Sequence, residues 1–228
     1  MAQAGIHGLV SVAVRKWAPG RTWLVLGMVL GSLLPDADNL AVAVATVTKQ
    51  STAGLHRTFT HSLFTIIVVG LIFYLVSRLT KQPRWNNLGL GLGLGILLHV
   101  LLDLLIWFDG VAILWPLSSW VNLWGGVTLP DWWTRLMMPL ELLFLALFLF
   151  SLYTMARQQG ADSKYLGAMR VWIGLQGLLF LIFLVLAYTL SKGFLTIFGA
   201  VYLLSLGLAV GVTIRMRSTI ERQVQPAS

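Results

Sequence analysis

Leu88-Gly89-Leu90-Gly91-Leu92-Gly93-Leu94-Gly95-Ile96-Leu97-Leu98-His99-Val100-Leu101-Leu102-Asp103 is the stretch that decides the fold. It lies between Arg84 and Asp109, in a run whose only ionisable residues are His99 and Asp103. An apolar run longer than about 18 residues is a candidate membrane-spanning helix. On that helix positions i and i+4 share a face, so His99 and Asp103 reach a common centre. Ionisable groups are costly in hydrocarbon, which makes the pair a functional-site candidate. The plain alternative is a His–Asp hydrogen bond joining two helices. The glycines form two small-xxx-small steps, Gly89/Gly93 and Gly91/Gly95, which permit close helix approach.

The composition agrees. The chain has 228 residues, 57% hydrophobic and 11% charged, with a mean hydropathy of +0.83. Soluble domains do not have this composition. The expected fold is an all-α polytopic transmembrane helical bundle. Cysteine is absent, so disulfides and thiolate ligation are excluded and any metal must be held by histidine, carboxylate and water. The formal net charge is +8, but the basic residues are scattered over loop ends rather than gathered in one patch, against nucleic acid as a partner. Residues 1–14 carry no Lys or Arg ahead of an apolar core, which argues against a cleavable signal peptide.

About six spans are expected. A short N-terminal helix over 3–14 carries His7. The first span, 22–34 and 39–48, is broken at Pro35, because proline disfavours helix in the residue before it. Further spans are expected at 62–79, 86–108, 137–155, 171–190 and 193–214. Four regions result: 1–117 with the polar residues, a Trp-rich outer loop at 118–136, three C-terminal helices over 137–214, and a loose polar cytoplasmic tail at 215–228. Tryptophans between 109 and 135 suit an interfacial belt. Glu141 either faces the site or sits at the interface, the second being the favoured reading.

Orientation follows from Lys and Arg. With 78–85, 156–170 and the tail inside, the inner side holds twelve, including Arg15, Lys16 and Arg21; the outer side holds Lys49, Arg57, Arg135 and Lys192. His99 then lies about 13 Å below the outer end of its span, at 1.5 Å rise per residue. Asp36 lies about 10 Å below that boundary. Asp36, Asp38, His61, His99 and Asp103 therefore converge in the outer half, and His7 joins them if its segment runs inward.

Imidazole and carboxylate without thiolate suit zinc or manganese, as one or two ions. Such an ion lowers the pKa of bound water and polarises a phosphoryl oxygen. Asp103 is the natural bridge between two. Histidines five apart do not aim inward from one helix, so His61 starts its span as a ligand, capped by Thr60 or Ser62, and His56 belongs to the loop. Arg57 either grips a phosphate or faces lipid headgroups.

Four segments in order carry a resemblance: Leu33-Leu34-Pro35-Asp36-Ala37-Asp38, His56-Arg57-Thr58-Phe59-Thr60-His61-Ser62, Gly95 to Asp103, and Gly110-Val111-Ala112-Ile113-Leu114-Trp115-Pro116. Together with His7 they resemble the YdjM-type membrane-bound metal-dependent hydrolases, over about residues 5–117. Two positions depart from that pattern: Asn39 stands where a histidine is frequent, and Trp107-Phe108-Asp109-Gly110 where Thr-Pro-x-Gly is frequent. Asp109 either adds a carboxylate at the mouth of the site or starts a turn, the turn being the favoured reading. The family is remotely similar to zinc-dependent phospholipase C and single-strand nucleases. That resemblance implies one metal held by Asp36 or Asp38 with His61, His99 and Asp103. It implies a second held by His7 and bridging Asp103, with His56 a further candidate.

The expected function is a membrane-embedded metal-dependent hydrolase of a phosphate ester in a membrane lipid or lipid-linked substrate. Asp36 or Asp38 is the ligand or base, and Arg57 the phosphate grip. The expected setting is a bacterial or archaeal cytoplasmic membrane, with the C-terminus cytoplasmic and the site opening outward. The rivals are a metal-binding transporter, which would show internal repeats that this chain lacks, and an inactive structural membrane protein. A reporter inserted within 156–170 is expected to report the cytoplasmic side; the opposite result inverts the orientation.

Overall fold

A helix of leucine and glycine has no polar face, so small residues, rather than amphipathicity, decide what it packs against. The computed structural model describes residues 3–117, 120–190 and 193–222. Its helices are α1 (Ala4–Val14), α2 (Leu24–Leu33), α3 (Asn39–Val47), α4 (Leu63–Thr80), α5 (Pro83–Ile106), α6 (Asp131–Gln159), α7 (Leu166–Thr189), α8 (Leu195–Arg215) and α9 (Arg217–Glu221). Among the described residues, six segments are long and apolar enough to cross a membrane, the first being Leu24–Val47. In that first segment α2 and α3 are separated at Pro35 by a 3-10 turn, Leu34–Asp38. The protein is an all-α polytopic bundle with a short N-terminal helix.

Every residue of α2 is buried, which makes it the central helix. Glycines bring α5 against it: a Cβ on Gly91 would lie 2.2 Å from the Leu24 carbonyl oxygen, and one on Gly95 2.2 Å from that of Met28. Gly27 and Gly31 of α2 meet α5 equally closely, at the carbonyl oxygens of Leu88 and Leu92. Gly89 and Gly93 face α4 instead, where an added Cβ would meet Phe73 at 2.4 Å and Ile66 at 3.2 Å. The two small-residue steps thus serve two different neighbours. Residues two apart on a helix point to nearly opposite sides.

α1 lies on α6 in the same way. A Cβ on Gly5 would meet the Phe144 backbone at 2.3 Å, and one on Gly8 the Phe148 ring at 2.8 Å. The core gathers Val25, Val29 and Leu33 of α2 with Leu145, Phe148 and Leu152 of α6 and Leu206 and Ala209 of α8. Inside the bundle Gln176 of α7 donates to the Ser205 hydroxyl of α8 at 2.8 Å, a polar contact suited to a medium without water.

The structure departs from hydropathy in two places. α6 begins at Asp131 rather than near 137, so Trp132 and Trp133 are helical. Asp131, Thr134 and Arg135 are too polar to register as a span, yet Pro130 ahead of the first turn and Asp131 within it favour helix initiation. The tail is also docked as far as 222. Met216, Thr219 and Ile220 are buried, and Asp162 Oδ2 accepts from the Thr219 amide and hydroxyl, both at 2.9 Å. Burial of Ile220 and this capping carboxylate offset the polar composition. Residues 223–228 lie outside the described set.

The loop after α5 folds back over the segment before α4. Val111 pairs with Val121, the Ala112 amide donates to the Arg57 carbonyl at 2.9 Å, and the Leu63 amide to that of Ile113 at 2.9 Å.

Gly95→Val is expected to destabilise the protein by about 1–3 kcal/mol or more, as overpacking against backbone does. The melting temperature in detergent would show it. Gly70→Ala, with open space around the new Cβ, is expected to be neutral or mildly stabilising.

Candidate metal centre

Each polar residue reaches the centre for a local reason. His99 and Asp103 project one turn apart from α5, and both are buried. The 3-10 turn after Pro35 aims Asp36 inward. A second 3-10 turn, Phe59–His61, ends at His61 just before α4, which Ser62 caps by accepting from the Thr65 amide at 3.2 Å. His7 enters from α1, its ring stacked on His99 with centroids 3.7 Å apart.

At the centre His61 Nε2 and His99 Nε2 face each other at 3.1 Å. Asp36 Oδ1 lies 3.8 Å from the first and 3.6 Å from the second. Asp103 Oδ2 lies 3.6 Å from His61 Nε2 and 3.7 Å from His99 Nε2. The other oxygen, Asp103 Oδ1, is 3.1 Å from His7 Nε2. Asp103 therefore looks two ways, toward His61 and His99 on one side and His7 on the other.

The far edges of both rings are engaged. His99 Nδ1 is 2.8 Å from the Ser32 carbonyl, which only accepts, so Nδ1 carries the hydrogen and Nε2 keeps its lone pair. His61 Nδ1 is 2.9 Å from Thr60 Oγ1 and 3.4 Å from Asp38 Oδ2. The Thr60 hydroxyl donates to Asp38 at 2.9 Å, leaving its lone pairs to accept from His61 Nδ1. An N–H anchored behind and a lone pair in front is the arrangement of metal-ligating histidines.

Asp36 and Asp38 part company in this geometry. Both oxygens of Asp36 are buried without a hydrogen-bond partner among the described residues, as are both of Asp103 and both ring nitrogens of His7. Asp38 accepts instead from His56 Nδ1 at 2.7 Å, the Arg57 amide at 3.1 Å and Thr60. It ties the 56–61 segment to the turn. His56 reaches the centre through that carboxylate and through an edge-on contact with the His61 ring, centroids 5.4 Å apart, and Asp38, His56 and His61 form a group of metal-ligand spacing.

Arg57 is buried, at 2% exposure, and does not face headgroups. Its Nε is 3.5 Å from Asp103 Oδ2 and its Nη1 3.5 Å from Asp109 Oδ2. Asp109 is 72% exposed, so the guanidinium runs between the cluster and the surface. Asp109 is a carboxylate at the mouth as well as part of a bend. Arg57 has a left-handed backbone, φ 59°, held by the Asp38 carboxylate on its amide and the Ala112 amide on its carbonyl.

Glu141 is buried rather than interfacial, at 2% exposure. Its Oε1 accepts from the Gly5 amide at 3.3 Å, while Gln3 donates to the Met137 carbonyl at 2.9 Å. A carboxylate suits the positive end of α1, and this contact seats the helix that carries His7. As the only acid in its apolar run, Glu141 carried a usable signal. The Ser32 carbonyl carried none, because any residue supplies one.

These buried groups can hold a metal ion. Burying carboxylate oxygens without donors costs several kcal/mol per charge. Two imidazole lone pairs at 3.1 Å repel unless a proton or cation lies between them. Nitrogens sharing a tetrahedral zinc at about 2.05 Å sit roughly 3.3 Å apart, so the facing pair needs little adjustment.

A family model described as YdjM inner membrane protein matches residues 3–212, and the chain belongs to that family. The match runs through α6, α7 and most of α8, well beyond the first 117 residues that carry the motifs. No curated protein and no solved structure matches the chain.

Asp36→Ala, His99→Ala and Asp103→Ala are expected to lose bound metal when purified protein is assayed by elemental analysis. Asp38→Asn is expected to keep stoichiometry and weaken affinity about 10–100-fold, the usual effect of losing a partner behind a ligand. Burial pushes the His61 imidazole down, but the neighbouring carboxylates of Asp36, Asp38 and Asp103 outweigh it and hold its pKa at about 9. Below that value a metal must displace the proton. Apparent zinc affinity is therefore expected to rise roughly tenfold per pH unit between pH 6.5 and 8.5, with one proton released.

Proposed function

We propose that this member of the YdjM inner membrane protein family is a divalent-metal-dependent hydrolase that cleaves a phosphate ester of a membrane lipid or lipid-linked substrate. The observation that carries the proposal is that Asp36 Oδ1 and Asp103 Oδ2 each lie within 3.8 Å of the buried, facing pair His61 Nε2 and His99 Nε2. Structural polar pairs in membrane helices hydrogen-bond to one another, whereas here, among the described residues, neither oxygen of Asp36 has a hydrogen-bond partner and Asp103 meets His7 and Arg57 as ion pairs. The donor set favours zinc, with manganese the second choice. A second ion, if bound, would be held by His7 and Asp103, whose Oδ1 is turned toward His7 Nε2.

A divalent ion held by these side chains supplies Lewis-acid polarisation and a water of lowered pKa. The remaining work falls to the chain. Arg57 offers its guanidinium beside Asp103 and orients a phosphate oxygen entering past Asp109. Its burial makes that charge worth more than it would be in water. Asp36 is placed to ligate, or to take a proton from an attacking water. Asp38 holds His61 through Thr60 and holds the left-handed turn at Arg57, so it positions both. The loop from Val111 to Ile113, bonded to Arg57 and Leu63, limits the access of bulk water.

With 156–170 inside, the cluster lies in the outer half of the bilayer, within reach of a headgroup phosphate. That depth favours an outer-leaflet phospholipid or polyprenyl phosphate.

Purified protein incubated with vesicles of defined phospholipids or polyprenyl phosphates is expected to release phosphate or a phosphorylated headgroup. A chelator is expected to abolish the release and added zinc to restore it. Asp103→Ala is expected to be inactive, and Arg57→Ala to lose about 10²–10³ in kcat/KM, as loss of a donor to developing charge does. A metal-loaded protein that turns over none of these lipids would overturn the proposal.

A further inference from the structure

Beside the His/Asp cluster, between α3, α6 and α8, lies a cleft of about 490 Å³, within the roughly 300–1,000 Å³ that small-molecule sites occupy. Its walls are apolar: Val42, Ala43 and Val47 of α3 face Leu195, Phe198 and Leu203 of α8. Asn39, Glu141 and Tyr202 also line it, as do Thr46 and Thr196. Thr46 donates to the Val42 carbonyl of its own helix at 2.8 Å. Glu141 Oε2 and Tyr202 Oη differ, being buried with no hydrogen-bond partner among the described residues. Asn39 links cleft to cluster. It follows Asp38 directly, and its Nδ2 donates to the Asp36 carbonyl at 2.9 Å.

The surroundings identify the occupant. All three helices belong to membrane-spanning segments, and Leu40 and Val44 expose the outer side of α3. The stretch walled by Val42, Val47, Leu195 and Leu203 offers water no partner, and the matter available at that depth is lipid hydrocarbon. Helices in lipid gain no hydrophobic energy by excluding chains as apolar as themselves, so nothing drives α3 and α8 to close the gap. Selectivity must come from the polar end, where a hydroxyl, able both to donate and to accept, satisfies Glu141 and Tyr202.

We propose that the cleft binds one hydrocarbon chain of a hydroxyl-bearing lipid phosphate, with the hydroxyl at Glu141 and Tyr202 and the phosphate at the neighbouring cluster. The assignment deepens the hydrolase reading and rests on it for the phosphate alone. Occupancy of the cleft requires no turnover.

Full-length protein in vesicles containing phosphatidylglycerol with a diazirine on one acyl chain tests it, by irradiation and mapping of labelled peptides. Label is expected to concentrate on Val42, Phe198 and Leu203, at least fivefold over the exposed Leu178, Leu181 and Val185 of α7. Gly199→Leu, whose new Cβ meets open space, and Ala43→Leu fill the cleft without touching the cluster. Each is expected to cut that label at least fivefold with metal content unchanged. Equal labelling of α7, labelling unaffected by both variants, or a second copy of the chain seated there and excluding the lipid would overturn the proposal. If labelling is enriched but no phosphate ester is cleaved, the cleft stands and the hydrolase reading falls.

Discussion

Hydrocarbon does not solvate ionised groups. A bundle that buries Asp36, Asp103, His7, His61 and His99 at one point must therefore supply their partners itself or admit an ion that does. The described side chains supply only part of that need. His99 is anchored by the Ser32 carbonyl and His61 by Thr60 and Asp38, and Asp103 pairs with His7 and Arg57, but between the inward-facing nitrogens of the two rings and the Asp36 carboxylate no described donor intervenes. The rest of the fold can be understood as what holds these groups close despite their mutual cost.

Backbone contact does much of that holding. Glycines let α2 and α5 approach until one helix touches the carbonyls of the other, which fixes the height of Ser32 and Asp36 relative to His99 and Asp103. α1 sits as tightly on α6 through Gly5 and Gly8, with Glu141 at its amino end, and so fixes His7. Longer side chains at these glycines would separate the elements that carry the ligands. The apolar packing and the polar cluster are for this reason one structure.

Much of this was legible beforehand. The six spans, the break at Pro35 and the shared face of His99 and Asp103 follow from hydropathy, proline geometry and helical period, all local properties. The boundaries of α6 and the docking of α9 were not legible, because Asp131 and Arg217 are polar and hydropathy responds to lipid exposure rather than to hydrogen bonding. Glu141 was misjudged for a related reason. Its partner, the Gly5 amide, lies 136 positions away, and no local pattern shows that an amide waits there.

The sequence by itself determined that the chain spans a membrane, that its four histidines and three of its aspartates are its candidate metal-holding groups, and that His99 and Asp103 share one face. Those are matters of composition and period. Only the tertiary structure decided that Asp36 faces the centre while Asp38 holds the 56–61 segment, that Arg57 is buried between Asp103 and Asp109, and that His7 stacks on His99. Two carboxylates two residues apart are equivalent in a sequence. They become different when a 3-10 turn points one at imidazole lone pairs and the other at N–H and O–H donors.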